Sequence, residues 1–184
     1  MLNTSPHSLP SPSSAALSIR DPAHTWRYLC TQWRRAFGLN VTRIDELLFV
    51  GGQFRPRQWP ALHALGIRAV LSLQAEYEDQ FHGPPPARSL RLEVPDFHPP
   101  TVEQLHAAVA FIQSARAERL PVMVHCHAGV GRAALTASAY LVSQGHDHAA
   151  AFHAIRRARP IVLLNATQQA RLAEWEHVLR STTL

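Results

Sequence analysis

Val122-Met123-Val124-His125-Cys126-His127-Ala128-Gly129-Val130-Gly131-Arg132 decides how this chain is read. A short apolar run delivers a cysteine, five residues follow, two of them glycine, and an arginine closes the set as a helical pattern begins. Cysteine chemistry on a phosphate monoester needs these parts in this order. The strand fixes where Cys126 starts, and Gly129 and Gly131 let backbone N–H groups turn toward a tetrahedral anion. A helix N-terminus adds its positive end, and the Arg132 guanidinium can grip two phosphate oxygens at once. The same field favours thiolate over thiol, so Cys126 reads as a nucleophile rather than as an inert buried thiol. His127, Ala128, Gly129, Val130, Gly131 and Arg132 are the expected phosphate-binding set.

His125-Cys126-x5-Arg132 resembles the signature loop of the cysteine-dependent protein tyrosine and dual-specificity phosphatases. The resemblance runs over roughly residues 41 to 180, in the Cys loop and in Val94-Pro95-Asp96-Phe97-His98-Pro99-Pro100-Thr101. It implies that Cys126 attacks phosphorus, that Arg132 clamps the equatorial oxygens, and that Asp96 protonates the leaving oxygen. Asp96 stands 30 positions before Cys126, after the alternation Leu90, Leu92, Val94, and so at a strand end on a proline-stiffened loop. Alone it would read as a turn residue; paired with the Cys loop it reads as a general acid. The resemblance also implies that His125 orients the loop, and that a polar residue after Arg159-Pro160, here Gln168, reaches the site. A helix N-cap at Asn165 is the simpler reading of that last segment. One residue departs from the family pattern: Ala133 stands where Ser or Thr usually follows the arginine. The missing hydroxyl removes a hydrogen bond to a charged group, worth about 1.5–3 kcal/mol, which points to a slower enzyme and keeps a phosphate-binding pseudophosphatase in play.

The rest of the chain alternates strands and helices. Leu47 to Val50, Ile67 to Leu73, Leu90 to Val94 and Val122 to His125 read as strands. Trp59 to Leu65, Val102 to Arg116, Arg132 to Gln144, His148 to Arg157 and Ala166 to Leu179 read as helices, with a capping box at Thr101/Gln104 and a stop at Gly145. Gln74 to Arg88 is an expected surface loop. The pattern predicts an α/β fold, a central mixed, largely parallel sheet flanked by helices on both faces. Residues 1–22, rich in Pro and Ser, are an expected disordered tail, residues 23–40 an amphipathic helix, and residues 41–184 the phosphatase domain.

Composition bounds the function. The 184 residues are 46% hydrophobic and 17% charged, with two cysteines, which suits one reducing-compartment domain with no disulfide framework. No run of eighteen apolar residues and no hydrophobic leader is seen, so a cytoplasmic, soluble, monomeric protein is expected. Net charge is +5 and every cation among the Lys+Arg total of 18 is arginine, which favours anionic partners: a phosphorylated protein or a phospholipid, with no nucleic-acid module in view. Leu71 to Glu78 is similar to a segment of the mitochondrial phosphatidylglycerophosphate phosphatase branch, where an acidic-aromatic loop lies beside the site. The stripe Trp26, Leu29, Cys30, Trp33, Phe37, backed by Arg27, Arg34 and Arg35, offers a peripheral contact to an anionic membrane over residues 23–37, though such a helix more often caps a domain with its thiol buried. In His125-Cys126-His127 successive strand residues point to opposite faces, and no second Cys or acidic ligand stands at zinc spacing, so neither metal nor organic cofactor is expected.

Overall fold

Short Val/Leu/Ile runs bounded by turns make five strands among the described residues, which in this computed structural model are 25–26, 28–30, 32–33 and 38–182. β1 (Val41–Arg43), β2 (Leu48–Gly52), β3 (Ala69–Gln74), β4 (Arg88–Val94) and β5 (Val122–Cys126) form one sheet in the order β1-β2-β5-β3-β4. β1 pairs antiparallel with β2, and the other pairs are parallel. Apolar β5 is central because it is buried along its whole length, and its register sets Gly52 beside Cys126 and Ser72 beside His125. Three strand ends therefore converge at the carboxyl edge where the nucleophile emerges.

Four helices cover one face: α2 (Val102–Ala117), α3 (Arg132–Ser143), α4 (His148–Ala158) and α5 (Ala166–Thr182). α3 is apolar almost all round and is buried at Ala133, Ala134, Leu135, Ala137 and Ala139, as expected of a helix packed by neighbours on every side. Its small side chains let it lie close on β5 and carry its N-terminus to the Cys loop. The opposite face is covered by α1 (Trp59–Ala64), a preceding 3-10 turn over Pro56–Gln58, and Phe54. Helix α1 is short, yet it anchors firmly because Trp59 and Leu62 are buried; each such side chain contributes about 1.5–3 kcal/mol.

Most expected elements are present within a residue or two. The capping box forms as read, with Gln104 N donating to Thr101 Oγ1 at 3.1 Å and Thr101 N to Gln104 Oε1 at 2.9 Å. Strand β1 is an addition: three residues carry too little pattern to mark a strand. Gln74, expected in a surface loop, ends β3 and is fully buried. The described part of the N-terminal segment is helical, but Trp26, Leu29 and Trp33 are exposed and Cys30 is half-buried. The buried cap and buried thiol expected there are thus not what the described residues show. Residues 1–22, with Arg27, Arg34, Arg35 and Phe37, lie outside the described residues.

Candidate active site

The loop from Cys126 to Arg132 is held by its carbonyls. Gln53 N–H donates to the oxygen of His127 (2.9 Å), Asn40 Nδ2 to that of Ala128 (3.2 Å), Arg159 Nε to that of Gly129 (2.8 Å) and Leu163 N–H to that of Val130 (3.2 Å). In a trans peptide the C=O and the following N–H point in opposite directions. Four carbonyls bonded outward therefore turn the N–H groups of Ala128, Gly129, Val130 and Gly131 inward. One of them reaches the sulfur: Gly129 N lies 3.3 Å from Cys126 Sγ. With the N-terminus of α3 behind it, the loop is a nest of donors around a cysteine that is only 2% exposed.

This path demands glycine. Gly129 has φ +69°, and a Cβ there would stand 2.4 Å from the carbonyl carbon and oxygen of Gly51. Gly52 is also confined, since its Cβ would meet Asn40 Nδ2 at 2.0 Å and the His127 carbonyl oxygen at 2.9 Å. Gly129→Ala is expected to lose more than about 2 kcal/mol through positive φ and overlap, roughly 4–8 °C in Tm at this size, together with anion binding. Thermal melts with and without sulfate check both.

Arg132 is 1% exposed, and one side of its guanidinium is fully engaged. Nη1 donates to Val94 O (2.6 Å), to both Glu76 carboxylate oxygens (3.0 and 3.1 Å) and to Leu73 O (3.3 Å). Nε and Nη2 make no hydrogen bond among the described residues. The fork is thus fixed from behind, and its Nε–Nη2 edge is left for two oxygens of a ligand. Burial by itself would raise the Glu76 carboxyl; a backbone N–H, the Arg132 hydrogen bonds and the charges of Arg132 and His127 outweigh it and hold it below the usual carboxylate range. The clamp is therefore present at neutral pH and is given up only as pH falls through that lowered value.

Asp96 Oδ1 lies 2.9 Å from Arg132 Nη2, at ion-pair distance but without hydrogen-bond alignment. Its loop is tied down on several sides. Arg132 holds Val94, Asn165 Nδ2 donates to Phe97 O at 2.8 Å, and Arg171 Nη1 to Pro100 O at 3.1 Å. Phe97 takes φ +62° and is 77% exposed, a strained conformation for an aromatic residue that places the ring on the rim. His98 bonds the Asp96 carbonyl and stays exposed, as a turn residue would. A cleft of about 470 Å³ brings together Asp96, Cys126, His127, Ala128, Val130, Gly131, Arg132 and Gln168, with Phe97, Leu163 and Asn165 at its edge.

Of the residues expected of the site, all but Gly129 and His125 line this cleft, and the structure adds several. His125, fully buried, shares a 2.7 Å hydrogen bond through Nε2 with Asp79 Oδ2, 46 positions away, while its Nδ1 meets no hydrogen-bond partner among the described residues. Asn165 is the N-cap of α5, accepting from Gln168 N at 2.9 Å, while Gln168 Oε1 accepts from Asn165 N at 3.2 Å. Both readings of that segment thus hold together: the cap uses Oε1, and Nε2 is left to line the cleft beside Gly131. His127 meets Gln53 Oε1 through Nδ1 at 3.1 Å and lines the cleft. Asp79, Asn40 and Arg159 escaped sequence reading, because no local pattern marks a residue that acts across the fold. The one available signal was the run of acids Glu76, Glu78 and Asp79 on a loop leaving the strand next to β5.

Strand end, donor nest, fixed arginine and an Asp on a separate loop define a phosphate-handling cysteine site. The chain belongs to the family described as dual specificity phosphatase, catalytic domain, whose model matches residues 48–178. It is similar to human dual specificity protein phosphatase 12, 39% identical over 106 residues, 55% of this chain and 31% of that protein. It is also similar to the Arabidopsis thaliana phosphatidylglycerophosphate phosphatase PTPMT1, 30% identical over 142 residues, 74% of this chain and 42% of that protein. The chain thus spans less than half the length of these two relatives. Among solved structures, that of PTPMT1 in complex with PI(5)P shares its fold, with a TM-score of 0.71 and 24% identity over 79% of this chain and 99% of that one.

Proposed function

We propose that this chain is a phosphomonoester hydrolase acting on proteins that carry phosphotyrosine, phosphoserine or phosphothreonine, through a Cys126 thiophosphoryl intermediate. The observation that carries it is the donor nest, four carbonyls bonded outward and one inward N–H already on Cys126 Sγ. In the first step the sulfur forms a bond to phosphorus as the bond to the leaving oxygen breaks, and Asp96 gives that oxygen its proton. Arg132 and the inward amides hold the three phosphoryl oxygens as charge shifts onto them. An arriving phosphoryl group competes with Asp96 for the Nη2 edge of Arg132, which frees the carboxyl for the leaving oxygen. In the second step Asp96 takes a proton from a water whose oxygen bonds to phosphorus as the S–P bond breaks, releasing phosphate and the thiolate. The reading needs no metal, and its thiolate suits a reducing, cytoplasmic setting.

A lipid phosphate is the second reading. It is favoured by Glu76, the acid of the acidic-aromatic loop, bonded directly to Arg132, and by the likeness to phosphatidylglycerophosphate phosphatases. Turnover of a phosphotyrosine peptide, a phosphothreonine peptide and phosphatidylglycerophosphate, measured side by side, decides between them. A peptide kcat/KM above that of the lipid supports the protein reading, and the reverse order replaces it.

Ala133, fully buried at the first turn of α3, offers the Cys126 sulfur no hydroxyl. Ala133→Ser is expected to speed breakdown of the intermediate by about tenfold per 1.4 kcal/mol of barrier removed. In rapid-quench measurements the wild type should show a burst of leaving group that shrinks in Ala133→Ser as steady turnover rises. A neutral or slower variant would show that another group, Gln168 or His127, already serves. No turnover in either form, with phosphate binding intact, identifies a pseudophosphatase.

A further inference from the structure

Beside the catalytic cleft lies a second one of about 550 Å³, whose walls include Asn40, Gln53, Arg55, Arg57, Gln58 and His127. The two share His127 and Ala128, so a single turn of the phosphate loop separates them. Several of the polar groups in the second cleft are already committed to the fold. Asn40 donates to Ala128 O and accepts from Arg159, and Gln58 donates to Gly38 O and accepts from Arg55 N–H. The two guanidinium groups are different. Arg55 and Arg57 are exposed and form no ion pair among the described residues. Two unneutralised arginines facing one concavity make a fork for an anion.

We propose that this cleft is a second anion subsite, in which Arg55 and Arg57 bind an acidic side chain flanking the phosphorylated residue of a peptide substrate. The proposal rests on the hydrolase reading above and gives it a sequence preference. Spacing supports it, because clefts that meet at His127 and Ala128 suit groups on neighbouring residues of one extended strand. The chemistry of the walls favours a peptide over a lipid. A phospholipid's second phosphate leads directly to glycerol and acyl chains, which need apolar surface, whereas this cleft is walled mainly by amides and guanidinium groups, with Phe54 buried beneath. The apolar rim of Phe97 and Leu163 lies instead on the catalytic cleft, where it suits an uncharged residue of the same peptide.

The test uses phosphotyrosine peptides that differ only by Glu in place of Ala at one of the two positions on either side of the phosphotyrosine. At one position, Glu is expected to raise kcat/KM about tenfold, the ratio that ~1.4 kcal/mol of charge-assisted hydrogen bonding produces. Arg55→Ala/Arg57→Ala should abolish that preference while nitrophenyl phosphate turns over as before, and Arg55→Glu/Arg57→Glu should transfer it to a Lys-flanked peptide. Binding of the same peptides to Cys126→Ser, followed by fluorescence anisotropy, gives a readout that needs no turnover. If nitrophenyl phosphate is not hydrolysed, the hydrolase reading fails and the binding series still decides the subsite. Equal rates and affinities for Glu and Ala peptides would overturn the proposal, as would equal losses on every substrate. So would a double-Ala variant impaired only on short-chain phosphatidylglycerophosphate, which would assign the subsite to a lipid.

Discussion

Cys126→Ser is expected to lose essentially all hydrolysis, at least about 10⁴-fold as for other covalent nucleophiles, while still binding sulfate or phosphate. The two outcomes separate because they depend on different atoms. Anion binding uses the inward amides from Ala128 to Gly131 and the Nε–Nη2 edge of Arg132. These are positioned by Gln53, Asn40, Arg159, Leu163 and Glu76, none of which touches the sulfur. Attack on phosphorus uses the sulfur alone. A serine hydroxyl in its place stays protonated, since its intrinsic acidity is far weaker than a thiol's. The oxygen can still accept the Gly129 N–H now given to Cys126 Sγ at 3.3 Å, so the loop should keep its shape. Initial rates on nitrophenyl phosphate and calorimetric titration with sulfate measure the two properties. A Ser variant that retains turnover would remove the covalent mechanism.

How much of this was legible in the sequence follows from how local each signal is. Strand β5, the glycine loop and the start of α3 lie within a few residues of one another, and each residue type there answers a local steric or electrostatic demand. Gly129 shows this well: positive φ and contact with Gly51 leave no other choice. The capping box at Thr101 and the N-cap at Asn165 were legible for the same reason. The supports of the loop were not. Arg159 reaches Gly129 O from 30 positions away and Thr42 from 117, and Asp79 meets His125 only because β3 and β5 are neighbours in the sheet. Such partners are set by topology, which periodicity does not encode. The stripe of Trp26, Leu29 and Trp33 marks the opposite limit. Period 3.6 reveals an apolar face but not what covers it, and in the fold these side chains are exposed.

The same division bears on Asp96, whose place on a loop at a strand end was legible and whose ion pair with Arg132 was not. Asp96→Asn is expected to lower kcat by about 10²–10⁴ on substrates with poor leaving groups, the contribution of one positioned proton donor. Nitrophenyl phosphate should suffer less, because its leaving group departs with little need of a proton. The contrast is what makes the test specific, since Asp96 also touches Arg132 Nη2 at 2.9 Å. A merely structural carboxylate, steadying Arg132, would when removed disturb phosphate binding and slow every substrate alike. The geometry argues against that role. Arg132 is already held through Nη1 by Glu76, Val94 O and Leu73 O, and the Asp96 contact lacks hydrogen-bond alignment. Asn165 and Arg171 hold the loop through Phe97 O and Pro100 O, backbone contacts that Asp96→Asn leaves in place. The variant should therefore keep the wild-type affinity for sulfate. Equal losses on both substrate classes, with weakened sulfate binding, would make Asp96 a structural residue and require another proton donor at the rim.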